Sequence, residues 1–200
     1  MQKSYILAAM LFCMWSCNNS SQTKTDTSIK SEASAATATD FKVIGDSIAN
    51  ASQKAFAGAL MKAINEHGAT GAVTFCNVHA LPIADSLSRQ YNCAIQRISN
   101  RYRNPADKPD VTDSTVIADY QAQKAAGIAL AVRLLEKDNQ VIYYKPIMVG
   151  MPTCLQCHGD PQADIAAPTL AIIREKYPND LAIGYQQGDL RGVWKIAFQR

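Results

Sequence analysis

A long stretch with helical spacing precedes every strand-like segment of this 200-residue chain, and this order limits the folds it can adopt. Apolar residues recur every three or four positions from Phe41 to Glu66, and the segment ends at His67-Gly68. The same spacing predicts a second helix from Gly71 to about Tyr91, in which we expect Pro82 to cause a kink or a break. The folded part of the chain therefore begins with helices.

After Tyr91 the pattern changes to short apolar runs typical of strands, with helices and turns between them. Ala94 to Ile98 is predicted to be a short strand, and Val193 to Phe198 is predicted to be the last one. The segments between them are predicted to be a loop over Arg101–Asp110, a helix over Thr115–Ala126, an antiparallel hairpin of Ile128–Leu135 with Gln140–Met148, and a helix over about Asp164–Tyr177. This order predicts an α+β domain around an antiparallel sheet.

The first residues have the layout of a bacterial secretory signal. One positive charge, Lys3, precedes an apolar run from Tyr5 to Trp15 that is too short to span a bilayer as a helix. Because the small residue Ser16 comes directly before Cys17, we expect a lipoprotein signal over residues 1–16 and lipidation of Cys17. A plain secretory signal cut elsewhere is the alternative. Both interpretations predict export, and the lipid would anchor the protein on the periplasmic side of a bacterial membrane.

The segment that follows the signal differs in composition from the rest of the chain. Residues 18–40 are rich in Ser, Thr, Ala, Asn and Lys, with no aromatic residue and with Ile29 as the single large apolar one. Such a stretch cannot bury enough apolar surface to offset the entropy lost on ordering. We therefore expect a flexible tether over residues 17–40 and a folded domain over residues 41–200.

The charge balance disfavours nucleic acid as a partner. The chain has 20 Lys and Arg against 17 Asp and Glu, and no run of basic residues that could follow a nucleic-acid backbone. Its six cysteines are too few and too scattered for a disulfide-dense scaffold, so each has to be interpreted from its own surroundings.

The most specific motif of the sequence is Cys154-Leu155-Gln156-Cys157-His158. Two thiols separated by two residues can add to the two vinyl groups of one haem, and the next residue can then bind the iron through an imidazole nitrogen. We predict one covalently attached c-type haem, held by Cys154 and Cys157, with His158 as an iron ligand. Export favours this interpretation, because c-type haem is attached outside the cytoplasm.

Two other interpretations of the Cys-x-x-Cys pair stay open. A thioredoxin-type redox disulfide normally follows a strand of a βαβ unit, whereas Gly150 to Thr153 has the composition of an irregular loop. A structural zinc site usually needs a second pair of ligands, for which Cys76 and His79 are the plausible candidates. Either would make the chain a disulfide- or zinc-stabilised envelope protein without haem.

Five short blocks along the chain carry a family resemblance. They are Phe75-Cys76 with Ile83-Ala84 downstream, Arg101-x-Arg103-Asn104-Pro105-x-x-x-Pro109-Asp110, Cys154-x-x-Cys157-His158-Gly159, Tyr177-Pro178, and Gly184-Tyr185-x-x-Gly188-Asp189-Leu190-Arg191-Gly192. In this order they resemble the Tll-like c-type haem family, over about Phe41 to Arg200. The resemblance implies a PAS-like domain with one haem and with a histidine and a cysteine as axial ligands. The family occurs as small exported proteins and as the sensory part of membrane signalling proteins.

The resemblance implies Cys76 as the iron ligand opposite His158. By its position alone, Cys76 lies on the apolar stripe of the second predicted helix, so a buried structural thiol stays an alternative. A disulfide with Cys93 is a further one in an oxidising compartment. His79, one helical turn from Cys76, is the other candidate ligand.

Arg101 and Arg103 are candidates for binding the haem propionates, because the guanidinium fork matches a carboxylate. Solvation of both side chains at the surface is the alternative.

Together these features predict a haem protein without catalysis, for electron transfer or for redox and ligand sensing in the cell envelope. It would act with an unidentified redox or signalling partner protein. The alternative is a small haem enzyme of the peroxidase or nitrogen-oxide reductase type, which needs a displaceable ligand at the sixth iron position.

Overall fold

The computed structural model describes residues 37–200 and combines helices with a four-stranded antiparallel sheet. The helices are α1 (Ala38–Tyr91), α2 (Val111–Ala125), α3 (Pro152–His158) and α4 (Ala167–Lys176), with a 3₁₀ turn over Pro105–Asp107. The strands are β1 (Ala94–Ile98), β2 (Arg133–Lys137), β3 (Gln140–Met148) and β4 (Leu190–Gln199). The predicted α+β class, with a PAS-like antiparallel sheet, flanking helices and a long N-terminal helix, is confirmed.

α1 begins at a capping box that lies inside the predicted tether. Asp40 N donates to Thr37 Oγ1 over 3.3 Å, and Thr37 N donates to Asp40 Oδ2 over 2.8 Å. Because these bonds satisfy free N–H groups at the helix start, the helix begins before the predicted domain boundary at Phe41. The predicted signal over residues 1–16, Cys17 and the tether up to residue 36 lie outside the described residues. Among the helices described, none is long and apolar enough to cross a membrane.

Gly68 divides α1 into two helical halves, where the sequence predicted the first helix to end. Its φ of 67° and ψ of 179° lie outside the helical region, in a conformation that glycine adopts at little steric cost. The helix continues through Pro82, where a kink or a break was predicted. Proline removes the hydrogen bond to the carbonyl of Val78, a residue that is 58% exposed and so lies on the solvent side of the helix.

The strand order is β1-β4-β3-β2, which places the last strand of the chain next to β3 in the middle of the sheet. Both faces of the sheet are buried. Both halves of α1 pack on the face that includes Tyr143 and Trp194. α2 packs on the opposite face, which includes Tyr144 and Val193. The sheet is therefore the middle layer between the long helix and α2.

Two adjacent tyrosines of β3 connect the sheet to the helices on its two sides. Tyr143 donates its hydroxyl to Asp46 Oδ1 of α1 over 2.6 Å, and Tyr144 donates to Asp113 Oδ1 of α2 over 2.8 Å. Burial raises the pKa of both tyrosines, and the hydrogen bonds to the two carboxylates raise it further. Both phenols therefore stay protonated as hydrogen-bond donors at neutral pH.

β1 and β3 coincide with predicted strands, whereas other elements differ at their ends. β2 begins at Arg133 rather than Ile128, and α4 is shorter than predicted at both ends. α2 begins at Val111 rather than Thr115. The earlier start of α2 follows from its cap, because Asp110 Oδ1 accepts a hydrogen bond from the N–H three residues later over 2.7 Å.

Gly45 marks the closest approach of α1 to β3. A Cβ atom at this position would lie 2.4 Å from Cδ2 of Tyr143, whose side chain is fully buried and cannot move aside. We expect Gly45→Ala to lower the free energy of unfolding by roughly 1–3 kcal/mol. Gly58→Ala is the matched control on the same helix, since a Cβ there meets nothing within 4 Å and alanine is the better helix former. Thermal unfolding followed by circular dichroism compares the two, and equal melting temperatures would contradict the tight contact.

Candidate functional site

Cys154 and Cys157 lie on α3. This helix begins at Pro152, where the sequence predicted an irregular loop. Both thiols are free and half-buried. Their spacing of three residues places them on one face of the helix, one turn apart. Cys154 packs against a cluster of Val149, Ala182 and Tyr185, and Cys157 packs against a cluster of Val73, Ile165, Ile173 and Tyr177. The two thiols therefore lie side by side in two apolar environments.

His158, the last residue of α3, has its proton position set by the main chain. Its Nδ1 lies 2.7 Å from the carbonyl oxygen of Ala182. Because a carbonyl can only accept, Nδ1 donates and Nε2 keeps its lone pair. Burial lowers the pKa of His158 well below its usual value, and the Arg191 and Arg103 cations lower it further. A neutral imidazole with an unprotonated Nε2 is the form that binds metal ions.

The chain after residue 181 runs along the end of α3. Tyr185 N donates to His158 O over 2.9 Å, and Gly184 N donates to Gly159 O over 2.7 Å. A Cβ atom on Gly159 would lie 2.5 Å from both Cβ and Oδ2 of Asp164, so the residue after His158 has no room for a side chain. These contacts fix the end of α3 relative to the carbonyl oxygen of Ala182, to which His158 donates.

Arg103 forms a buried bidentate ion pair with Asp180. Its Nε and Nη2 donate to Oδ1 and Oδ2 over 3.1 and 3.0 Å, and the two side chains are only 11% and 7% exposed. Nη2 also donates to the carbonyl oxygens of Cys157 over 2.6 Å and Ala182 over 3.3 Å. The pair thus joins α3 to the loop that orients His158. That Arg103 binds a haem propionate stays a prediction. The carboxylate that Arg103 binds in this structure is that of Asp180.

Arg101 supports the same loop. Its guanidinium donates to the carbonyl oxygen of Leu181 over 3.3 Å and to that of Ile183, and it lies 4.0 Å from the ring centre of Tyr185. Its predicted binding of a propionate also stays a prediction.

Cys76 lies in the second half of α1, where the nearby Val73 packs in one cluster with Cys157 of α3 and Ile173 of α4. It is half-buried and free, so the alternative of a disulfide with Cys93 is not formed. Burial raises the pKa of Cys76, whereas the Arg97 and Arg103 cations lower it. Burial also raises the pKa of Cys157, and the nearby thiol of Cys76 adds to that rise. The fold therefore brings Cys76 close to α3, although the two are far apart in sequence.

His79, the other candidate ligand, has a different environment. It is exposed, and its ring lies against Phe75 with the ring centres 4.5 Å apart. Among residues 37–200, no three His, Cys, Asp or Glu side chains are placed so that they could hold a metal ion together. The four ligands of the zinc interpretation are thus not assembled as a site.

Two arginines that act on the pKa of His158 were not predicted as site residues. Arg97 on β1 has its guanidinium 4.2 Å from the ring centre of Phe56. Arg191 on β4 donates from Nη1 to the carbonyl oxygen of Arg101 over 3.2 Å, and its Nε is buried with no hydrogen-bond partner among the described residues. Both cations contribute to the lowered pKa of His158, after the larger effect of burial.

Comparison with known proteins agrees with the resemblance found in the sequence. The family model described as Tll0287-like matches residues 8–198. No curated protein matches the chain significantly. Among solved structures, the crystal structure of the cyanobacterial heme-protein Tll0287 matches with 26% identity and a TM-score of 0.50, covering 60% of this chain and 71% of that one. The chain therefore belongs to the Tll0287-like family.

Proposed function

We propose that this protein is a single-haem c-type protein of the bacterial cell envelope. The proposal rests on the hydrogen bond of 2.7 Å from His158 Nδ1 to the carbonyl oxygen of Ala182, which leaves Nε2 available in a neutral ring next to two free thiols. Metal-bound histidines typically donate their other N–H in this way, which fixes the tautomer and the ring orientation. Family membership and the heme-protein neighbour support haem as the ligand.

Three residues of α3 would hold the haem, each in a different way. Cys154 and Cys157 would attach it covalently through thioether bonds, and His158 would bind the iron. The apolar clusters beside the two thiols would exclude water from that side. Bound haem supplies a one-electron redox couple, while Arg103 and Asp180 keep α3 and the residue 182 carbonyl in place.

Cys76 is the residue that we propose would bind the iron together with His158. Its half-buried position near Cys157 supports this role; burial raises the pKa of its thiol, and the cations of Arg97 and Arg103 oppose that rise. A filled second position leaves no open site for a substrate, so the proposed role is electron transfer or redox and ligand sensing rather than catalysis. This role requires a redox or signalling partner protein.

The proposed location follows from the sequence of the N-terminal segment. Export by a signal over residues 1–16 would deliver the chain to the compartment in which c-type haem is attached. A lipid on Cys17 would then anchor the domain on the periplasmic side of a membrane.

Mass spectrometry of the denatured protein tests the proposal. After expression with a cytochrome c maturation system, the mature chain should carry the added mass of one haem. The variant with Cys154→Ala and Cys157→Ala should lose this mass, because both thioether bonds are removed. The matched control is Cys93→Ala, which removes a half-buried thiol packed against the core of the α1 face and should keep the haem. A colourless wild-type protein without added mass would refute the proposal.

A further inference from the structure

Two exposed apolar side chains lie near the start of α1. Val43 and Ile44 are 65% and 45% exposed, whereas Phe41 and Ile48 on the other side of the same helix are buried against the sheet. Single exposed apolar residues are common on proteins, but a contiguous apolar patch usually marks a surface that binds something. Val43 and Ile44 need apolar neighbours to form such a patch.

An apolar groove lies at the edge of the sheet, where β3 continues beyond its pairing with β2. The pairing ends at Tyr144, whereas β3 runs on to Met148. The groove has a volume of about 320 Å³ and is lined by Leu130, Val132, Lys145, Pro146 and Met148. Met148 is 39% exposed, and Ile128, two residues before Leu130, is 57% exposed. Because Pro146 has no N–H, this part of β3 is poorly suited to pairing with a further strand. The groove therefore suits an apolar ligand better than an added strand.

Lys145 connects this groove to the start of α1. Its Nζ donates to Asp46 Oδ1 over 2.8 Å and to Asn50 Oδ1 over 2.9 Å. Asp46 and Asn50 follow Val43 by three and seven residues, so all three lie on the same side of the helix. Lys145 also pairs with the charge of Asp46. Val43 and Ile44 at one end, Ile128 and the groove at the other, and Lys145 between them thus form one surface, named here the edge surface.

The chain enters the described structure beside the edge surface. The first described residue is Thr37, the N-cap of α1, and Val43 lies about 9 Å further along the helix axis. Cys17, the proposed site of the lipid, precedes Thr37 by 20 residues, which span at most roughly 70 Å. A connection of this length gives the edge surface a millimolar effective concentration at the membrane, so that even a weak interaction is occupied.

We propose that the edge surface binds the phospholipid surface of the membrane that carries the lipid anchor. Its exposed apolar residues enter the boundary between headgroups and acyl chains, and the groove receives part of one acyl chain. Lys42, exposed and adjacent to Val43, approaches the anionic headgroups. Met148 is followed by Val149, which packs against Cys154, so this contact also fixes α3 relative to the membrane. The inference rests on the proposed function, because the lipid on Cys17 brings the domain to the membrane.

Photo-crosslinking of the full-length, haem-loaded protein tests the proposal. The protein is reconstituted into vesicles of phosphatidylethanolamine and phosphatidylglycerol that contain a phospholipid with a photoreactive acyl chain. Flotation shows whether the protein is anchored, and mass spectrometry of tryptic peptides shows where the lipid has reacted. The peptide of residues 43–54 reports on the start of α1, and that of residues 125–133 reports on Ile128 and one side of the groove.

The peptide of residues 104–124 is the internal control. It contains Val111, which is 86% exposed at the start of α2, on the face of the sheet opposite to α1. Labelling of the peptides 43–54 and 125–133 should exceed that of the control peptide by roughly fivefold or more, because the docked orientation dominates. Equal labelling of the three peptides in a protein that floats with the vesicles would overturn the inference and leave the anchor standing. A protein that does not float would overturn both, while a covalent haem in the mass spectrum would still stand.

Paired variants show whether the two parts act as one surface. Val43→Asp should reduce the labelling of peptide 125–133 by about threefold or more, because a charge is costly to place among acyl chains. Ile128→Asp should reduce the labelling of peptide 43–54 in the same way, so the result does not depend on one variant. Val111→Asp is the matched control, since it places the same charge at another exposed valine near a helix start, and it should change neither. Circular dichroism should show that all three variants are folded.

A second copy of the chain is the other possible occupant, and it has its own outcome. If the edge surface is an interface between two copies, the peptides 43–54 and 125–133 would be labelled less than the control peptide. Analytical ultracentrifugation in detergent would then show a dimer that Val43→Asp dissociates. This result would overturn the assignment to the membrane surface.

Discussion

Replacing Cys76 with alanine in the haem-loaded protein should convert a low-spin ferric absorption spectrum to a high-spin one, or to that of a new ligand set. The thiol lies in the second half of α1, and burial alone would keep it protonated. Ferric iron is a local positive charge that favours the thiolate. Because anionic sulfur stabilises ferric over ferrous iron, the variant should also have a higher reduction potential, measured by redox titration.

His79→Ala is the control for this prediction. His79 is one helical turn from Cys76 but is exposed, so its removal should leave both the spectrum and the potential nearly unchanged. Reversed results for the two variants would make His79 the ligand. If neither variant changed the spectrum, the second axial ligand would lie elsewhere in the chain.

Asp113→Asn should strongly destabilise the fold, because it leaves Lys195 without its close counter-ion. Lys195 Nζ donates to Asp113 Oδ2 over 2.7 Å, and the two side chains are only 14% and 4% exposed. Asparagine keeps an acceptor for the hydroxyl of Tyr144, but its NH2 group replaces the oxygen that accepts from Lys195 Nζ and Asp110 N, so the charge and these acceptors are lost together. We expect the free energy of unfolding to fall by about 2–4 kcal/mol, as for other broken buried pairs. Urea unfolding followed by circular dichroism measures it.

The same substitution at Asp46 provides a control on the other face of the sheet. Asp46 accepts from the hydroxyl of Tyr143 over 2.6 Å and from Lys145 Nζ over 2.8 Å, both at the one oxygen Oδ1. These two side chains are 40% and 29% exposed, so Asp46→Asn should cost less than about 1 kcal/mol. If the two variants lost similar free energies of unfolding, burial would not determine how much these ion pairs stabilise the fold.

The sequence predicted the fold class and most elements, because hydrophobic spacing reports local structure directly. β1 and β3 coincide with the strands predicted for Ala94–Ile98 and Gln140–Met148, and the helix break lies at Gly68 as expected. The predictions that differ from the structure concern segments in which a local sequence rule competes with the surrounding structure. The predicted break at Pro82 is absent, while the predicted kink there stays a prediction; the carbonyl that the proline leaves unpaired belongs to the exposed Val78. The helical form of α3 was missed because its short segment contains a proline at the start.

Of the candidate site, the sequence named the residues of the motif and Arg101 and Arg103, but not Asp180 or the main-chain partner of His158. Cys154, Cys157 and His158 stand in one pattern, so their proximity needs no tertiary information. Asp180 and the carbonyl of residue 182 gain their roles only when the chain folds back along α3. The sequence contained a partial signal for Arg97. It stands two residues after the buried Ile95 on β1, so the two side chains lie on the same face of the sheet.

The partner of His158 Nδ1 is a main-chain oxygen, and this has a consequence for how the protein can vary over evolution. A carboxylate partner could be lost by a single substitution, whereas every residue type at position 182 supplies the same carbonyl. Point mutations at that position can change the packing around Cys154 without deciding which ring nitrogen carries the proton. The tautomer of His158 is thus independent of which side chain stands at position 182.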